Sequence, residues 1–506
     1  MPRVVSLFLP GWPIDRLRRA LGTSAPPPET RLALVGRDGA RRVVTAASRA
    51  AEAAGVRVGM PLAKAHALVP DLSTMPAAPA ADAAALERLA LWVLQHYAPI
   101  VAPDPPDGLV IDTTGADHLH GGEKHMLSGL VNRLEASGIA ARAAIADSWG
   151  AAHALARFHA DPVFAASPGD GGAAADPLPV AGLRLEPEAA GALRLLGFSR
   201  IGALRLAPRA PLVLRFGPLL GCRLDQLEGR VAEPVDPFRD PELVTVRRAF
   251  GEPIGAAETI ARYTQKLVCD LCRALESRGL GLRRADLLFY RVDNTLQAIR
   301  IGTARAERDE KRLVRLLCDR IETVDPGFGI EVMSLTASRA EPLVLRQATC
   351  LPGEMEDADL GGLVDLIANR IGGRRLYRMA PVESDVPERS VRRVPPLAPD
   401  DGATWDSRWP RPARLLARPE EITVMALLPD HPPASFTWRG RRRIVRRADG
   451  PERIFGEWWK RDAERAAVRD YFHVEDEAGE RFWLFRSGDE KAVSGGLGRW
   501  FLHGIF

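Results

Sequence analysis

Apolar and polar positions alternate most regularly between residues 243 and 339, where six elements follow one another. A strand over Val244 to Phe250 precedes a helix over Ala256 to Arg278, in which Ile260, Leu267, Leu271 and Leu275 recur on one stripe. Strands over Leu282 to Val292 and Leu296 to Gly302 lead to a helix over Glu307 to Val324 and a last strand over Gly329 to Ala337. That order is βαββαβ, a ferredoxin-like split unit. Period-two alternation turns Ala285, Leu287, Phe289, Ile299 and Ile301 inward and leaves Arg284 and Arg300 on the open face. Such a face, with Arg247 and Arg248 on the first strand, suits a phosphate backbone. A solvated sheet face has the same spacing.

Upstream, the first 165 residues mix buried strands (Val4 to Leu9, Leu109 to Asp112) with alanine-rich helices such as Leu86 to Tyr97, an α/β layout. Between Leu178 and Arg230 short helices are punctuated by glycine. Gly197 and Gly202 bracket a tight turn whose backbone N–H groups are able to hold a phosphate, or which needs glycine for its turn alone. Residues 384 to 412 carry six prolines and have the composition of a semi-extended linker. Beyond it, strand-like alternation and seven of the ten tryptophans point to a small antiparallel β domain.

The length of 506 residues exceeds one core and implies three or more domains. An apolar share of 46% and a charged share of 26% are ordinary for a globular protein. No apolar run reaches the roughly 18 residues of a membrane span, and the opening stretch is too soon broken by proline for a secretory signal, so a cytoplasmic location is expected, with no membrane partner. Five cysteines make no disulfide framework; Cys269 and Cys272 fall on the apolar stripe of their helix and are expected in the core. With a net charge of only +4, nucleic-acid binding has to come from local patches.

The segment from Val43 to Pro70, with its GVRVGMPL core, resembles a fingers signature of Y-family translesion DNA polymerases. The opening strand, DGLVIDTTG at 107 to 115, the glycine-bracketed hairpin and the βαββαβ unit follow in that family's order, so the resemblance covers about the first 345 residues. SLFLPGWPIDRLRR near the start, with RFWLFR and RWFLHGIF near the end, is more closely similar to the ImuB family, polymerase-like subunits of a bacterial damage-inducible mutagenesis cassette. The implied fold is α+β and multidomain: a palm-like part over 1–20 and 76–165, fingers over 21–75, and a helical thumb with a helix-hairpin-helix over 166–242. A ferredoxin-like little finger over 243–345, a connector and linker over 346–404, and a C-terminal β-rich partner-binding domain over 405–506 complete it.

Active members hold two magnesium ions with three carboxylates, because the pair must bridge primer hydroxyl and triphosphate. Here the resemblance puts Pro10 and Gly108 at two of the three ligand positions and keeps only Asp107. The residues gripping the triphosphate fall on Arg49 and Glu52, and a palm lysine on His153. The expectation is therefore a DNA-binding protein without nucleotidyl transfer, cofactor or metal. The alternative is an active polymerase whose ligands are displaced onto Asp15, Asp112 or Asp117; Asp15 is otherwise expected to cap the helix starting near Arg16. His118 and His120, two apart in a loop, are expected to face solvent.

The ImuB resemblance implies, beside primer-template DNA, three partners: the sliding clamp, an ImuA-type RecA-like protein and an error-prone C-family DNA polymerase. Gln347 to Leu351 lies where a clamp-binding peptide is expected. Trp458, Trp459 and the arginine run with Arg441, Arg442 and Arg443 are the candidates for protein partners, since Trp and Arg dominate interface hot spots. Most tryptophans of so small a β domain are equally suited to its core, and the arginine run to single-stranded DNA.

Overall fold

The computed structural model describes residues 2–114, 120–343, 360–400, 402, 410–426, 431–457, 459, 468–487 and 499–506. It contains two compact units, Met1–Arg374 and Arg375–Phe506.

In the first unit the apolar run at the start forms β1 (Val4–Phe8), central in its sheet, which is why it is continuous rather than alternating. Helix α1 (Trp12–Leu21) leads into a separate three-stranded sheet of β2 (Leu32–Asp38), β3 (Arg41–Ala47) and β4 (Ser73–Pro76), which carries α2 (Arg49–Ala53) and α3 (Leu62–Leu68). Between these helices the GVRVGMPL segment buries Val56 and turns at Gly59, whose φ of 83° favours glycine. Helix α4 (Pro79–His96) returns the chain to the first sheet, which adds β5 (Ile100–Asp104), β6 (Gly108–Asp112), α5 (Glu123–Ala136), β7 (Arg142–Ala146), α6 (Trp149–Phe158) and β8 (Val163–Ala165). The strand order is β5-β6-β1-β7-β8. Residues of α4 and α5 cover one face around Val5, Leu7, Leu109 and Ile111.

Five short helices follow: α7 (Gly171–Ala174), α8 (Pro187–Leu195), α9 (Ile201–Leu206), α10 (Arg209–Phe216) and α11 (Pro218–Leu227). They share an apolar cluster with α6. The βαββαβ unit then runs β9 (Val244–Ile254), α12 (Ala257–Glu276), β10 (Leu280–Arg291), β11 (Leu296–Glu307), α13 (Glu310–Cys318) and β12 (Ile330–Pro342). Strand order β11-β10-β12-β9 makes each βαβ half enclose one strand of the other. Ala285, Leu287, Phe289, Ile299 and Ile301 face the helices as expected, together with Cys272, whose thiol burial pushes up to about 11. A further helix, α14 (Gly361–Ile371), lies in the stretch expected as a connector. Its Asp365 accepts from the Ala304 amide at 2.6 Å, and Asn369 bonds both backbone groups of Gly302, so its side chains satisfy the edge of β11 as a strand would.

The second unit opens inside the expected proline linker with a hairpin, β13 (Arg378–Pro381) and β14 (Val391–Val394). A closed barrel follows: β15 (Arg414–Met425), β16 (Ser435–Trp438), β17 (Arg441–Phe455), β18 (Val468–Asp476), β19 (Arg481–Ser487) and β20 (Arg499–Ile505). Closure removes the sheet's edges, and Trp483, Trp500 and Phe472 are buried in it. Among the described residues no helix is long and apolar enough to cross a membrane.

Candidate nucleic-acid interface

At the centre of the first sheet the Leu9 amide donates to the Asp107 carbonyl at 2.8 Å, and Phe8 stands opposite Gly108. Pro10 therefore follows directly on the strand end that meets Asp107. The place beside the Asp107 carboxylate is taken by Arg157 of α6. Its Nη2 donates to Asp107 Oδ1 at 2.7 Å and lies 3.6 Å from Asp104 Oδ2, and its guanidinium covers the Phe8 ring at 4.8 Å. Burial pushes the Asp104 carboxyl up, with Arg157 and Arg184 pulling it back. His153 Nε2 lies 3.9 Å from Asp104, and burial, aided by the same two arginines, drives its pKa to about 2. It is a neutral, enclosed imidazole.

These residues do not fit a magnesium pair. Proline and glycine bring no oxygen, and the remaining carboxylate is already matched by a guanidinium. A Cβ on Gly108 would stand 2.9 Å from the Leu7 carbonyl and 3.3 Å from Arg157 Nη2, so a longer side chain there has to displace backbone. Among the described residues no group of three or more His, Cys, Asp and Glu gathers around a possible ion. Asp112 sits at the far end of β6, opposite Val4, and accepts from the Thr114 amide at 2.9 Å. Asp15, expected as a helix cap, instead lies in the first turn of α1, where Gly11 is the cap, and accepts from the Ala140 amide at 3.0 Å. Neither turns toward Asp107. Asp117 and His118 lie outside the described residues, whereas His120 is buried against Tyr97, not facing solvent, because its ring contacts the Tyr97 carbonyl and stacks on that ring. Arg49 and Glu52 are exposed on α2.

Two of the expected phosphate sites are corrected. The Gly197 amide donates to Arg194 at 3.0 Å and the Gly202 amide to Asp176 at 2.9 Å, so neither N–H is available to a phosphate. These glycines serve the turn (Gly197 has φ 90°) and the close approach of Asp176, whose Cβ is 3.0 Å from where one on Gly202 would be. Arg284 and Arg300 do lie on the face opposite the helices, but that face is not open. Leu288 packs with Val4, Ile100 and Val110 of the first sheet, flanked by Tyr290, Leu296 and Ala298. Arg300 binds Asp286 through two bonds of 2.6 and 2.8 Å and the Leu94 carbonyl of α4 at 2.6 Å. Burial, with Arg300 adjacent, lowers Arg284 to about 10. Alternation tells which face a residue occupies, not whether another layer covers it; the apolar outward positions Leu288 and Leu296 were the available signal.

Arg247 and Arg248 remain exposed on β9, over the Tyr290 and Tyr263 rings at 5.8 and 5.3 Å. Arg262 and Lys266 of α12 also flank Tyr263, at 5.4 and 5.1 Å. The sequence reading missed them, although two cations at i and i+4 opposite the apolar stripe of α12 marked one basic helix face.

In the second unit Arg441 and Arg442 are exposed, but Arg443 is not a partner contact. It is buried in ion pairs with Asp476, at 2.6 Å, and Glu480, because β17 turns it inward. Trp459 is 65% exposed. Trp458, Gln347 and Leu351 lie outside the described residues.

Over 463 residues the chain is 47% identical to "Protein ImuB" of Caulobacter vibrioides, covering 89% of this chain and 100% of that protein. It belongs to the ImuB family. Residues 25–157 of this ImuB-family chain match the impB/mucB/samB family, and residues 417–506, most of the barrel, match a domain of unknown function, DUF6504. The chain is also 27% identical over 261 residues to a "DNA polymerase IV" of Halorhodospira halophila, covering 50% of this chain and 72% of that protein. Among solved structures, DinB from Sulfolobus solfataricus aligns at TM-score 0.40 and 15% identity, over 66% of this chain and 98% of that one. A ternary complex of Dbh DNA polymerase aligns at 0.39 and 14%, over 68% and 100%. Alignments that loose add no weight. The polymerase-like α+β fold rests on family membership and on the element order above.

Proposed function

We propose that this ImuB-family chain is a non-catalytic DNA-binding adaptor in translesion synthesis, recruiting an error-prone polymerase to the sliding clamp at damaged primer-template. The observation that carries the reading is the Arg157 guanidinium on Asp107, in the part of the palm where a polymerase needs a cation bound by acids. A protein built this way keeps the polymerase shape and leaves templated synthesis to another subunit. The exposed cations Arg247, Arg248, Arg262 and Lys266 support DNA contact along the outer edge of the βαββαβ unit. The sheet face bearing Arg284 and Arg300 joins only after leaving the palm. On this reading the ImuA-type protein and the C-family polymerase meet the C-terminal unit, and the clamp meets residues 347–351.

Primer extension with purified protein, Mg²⁺ or Mn²⁺ and all four dNTPs tests the first half. No extension is expected, and robust extension abolished by Asp107→Ala overturns it. Co-purification of clamp, ImuA-type and C-family polymerase subunits with the full chain tests the second; loss of clamp binding on Gln347→Ala/Leu351→Ala is the expected result.

A further inference from the structure

In the second unit most carboxylates are matched by the chain's own arginines. Asp470 binds Arg453 and Arg486, Asp476 binds Arg443, Glu452 binds Arg411, and Glu388 binds Arg469. Glu383 and Asp385 depart from this. Both are exposed, and among the described residues neither has an ion-pair partner. They stand at a cavity of about 730 Å³ at the end of β17, with Phe455, 61% exposed, and Trp459, 65% exposed. Beneath them Glu457 is buried and fixed by Ser384 and Arg389, each at 2.8 Å, which ties the segment carrying the two acids to the end of the barrel strand.

Two unmatched carboxylates beside two exposed aromatic rings form a receptor for an organic cation: the rings attract it through their faces and the acids supply the counter-charge. Phosphate is repelled by the same acids. The volume lies within the range of about 300–1,000 Å³ that encloses whole ligands, larger than one side chain requires. We infer that this cavity on the C-terminal unit docks an arginine-bearing peptide segment of a partner protein. The inference is independent of whether the first unit binds DNA or lacks polymerase activity.

The test is fluorescence anisotropy of a labelled (Arg-Ala)₃ amide titrated with the full chain at physiological salt. Saturable binding is expected, weakened at least tenfold by Glu383→Gln/Asp385→Asn and separately by Trp459→Ala, and changed less than twofold by Glu477→Gln, an exposed acid outside the cavity. The (Glu-Ala)₃ peptide is expected not to bind. Either variant binding as the parent does overturns the site. Competition by free arginine amide at the peptide's own concentration overturns the peptide assignment in favour of a small-cation site. Primer-template affinity, measured on the same variants, is expected to stay unchanged; its loss would mean that the fold had been damaged, and a substitution of Phe455 to Leu then replaces Trp459→Ala as the aromatic variant, with the same tenfold loss required.

Discussion

Replacing Arg157 by leucine isolates the internal counter-ion at the palm centre. The variant leaves Asp104 and Asp107 facing each other, with side-chain exposures of 14% and 31%. Breaking a fully buried ion pair costs about 3–5 kcal/mol. Water reaches Asp107, so roughly 2–3 kcal/mol is expected here, which is about 30- to 150-fold in a local opening equilibrium. Hydrogen exchange reads it directly at the Leu9 amide, which donates to the Asp107 carbonyl, and in peptides covering β1 and β6. Because Asp104 has a raised pKa in the fold, the folded state takes up a proton that the unfolded chain at the same pH does not. Its contribution to stability therefore falls as pH rises through the folded value, and Arg157 limits that fall. The variant's deficit is thus largest at pH 8 and shrinks toward pH 5, after correction for intrinsic exchange. Acceleration below threefold at pH 8, or an equal deficit at both pH values, would refute the counter-ion argument.

Arg247→Ala/Arg248→Ala is expected to flatten the slope of log K against log salt for primer-template by about 2, and an unchanged slope removes that edge from the interface. Arg300→Ala strands the Asp286 carboxylate, which is 2% exposed, and should speed exchange in β10 and in the end of α4 together; a response confined to β10 means the arginine does not hold the two layers. In the barrel, Arg443→Ala should cost about 3 kcal/mol, whereas Arg441→Ala/Arg442→Ala costs under about 0.5, read from thermal unfolding and exchange of β18. His503, buried beside Tyr471, has its pKa lowered to about 4 by burial. The unfolded chain takes up that proton first, so barrel stability should fall by roughly 3 kcal/mol as pH drops from about 6.5 to 4, and His503→Gln should flatten this dependence.

Much of the fold was legible because strong periodicity survives burial. The order β9 to β12 followed from alternation, although the second helix stops at Cys318 rather than running to Val324, with only a short 3₁₀ turn at Ile321–Thr323. Proline content hid the β13–β14 hairpin, since Pro381 ends a two-stranded ribbon where a missing N–H costs little. At the site, Pro10, Asp107 and Gly108 were legible as residue types. Arg157 was not: it lies about fifty residues along the chain from its partner, and only the packing of α6 across β1 brings them together. Arg284, Arg300 and Arg443 were misjudged for one reason, that an arginine at the right register is enclosed whenever an acid such as Asp286 or Asp476 waits inside.

Gly108 has a consequence for reversal. Lengthening that residue alone drives atoms into the Leu7 carbonyl, and deleting Arg157 alone sets two like charges against each other. Each single step back toward an ion-binding centre is uphill, so the path is a ratchet: recovering chemistry demands several simultaneous changes, while staying inert demands none.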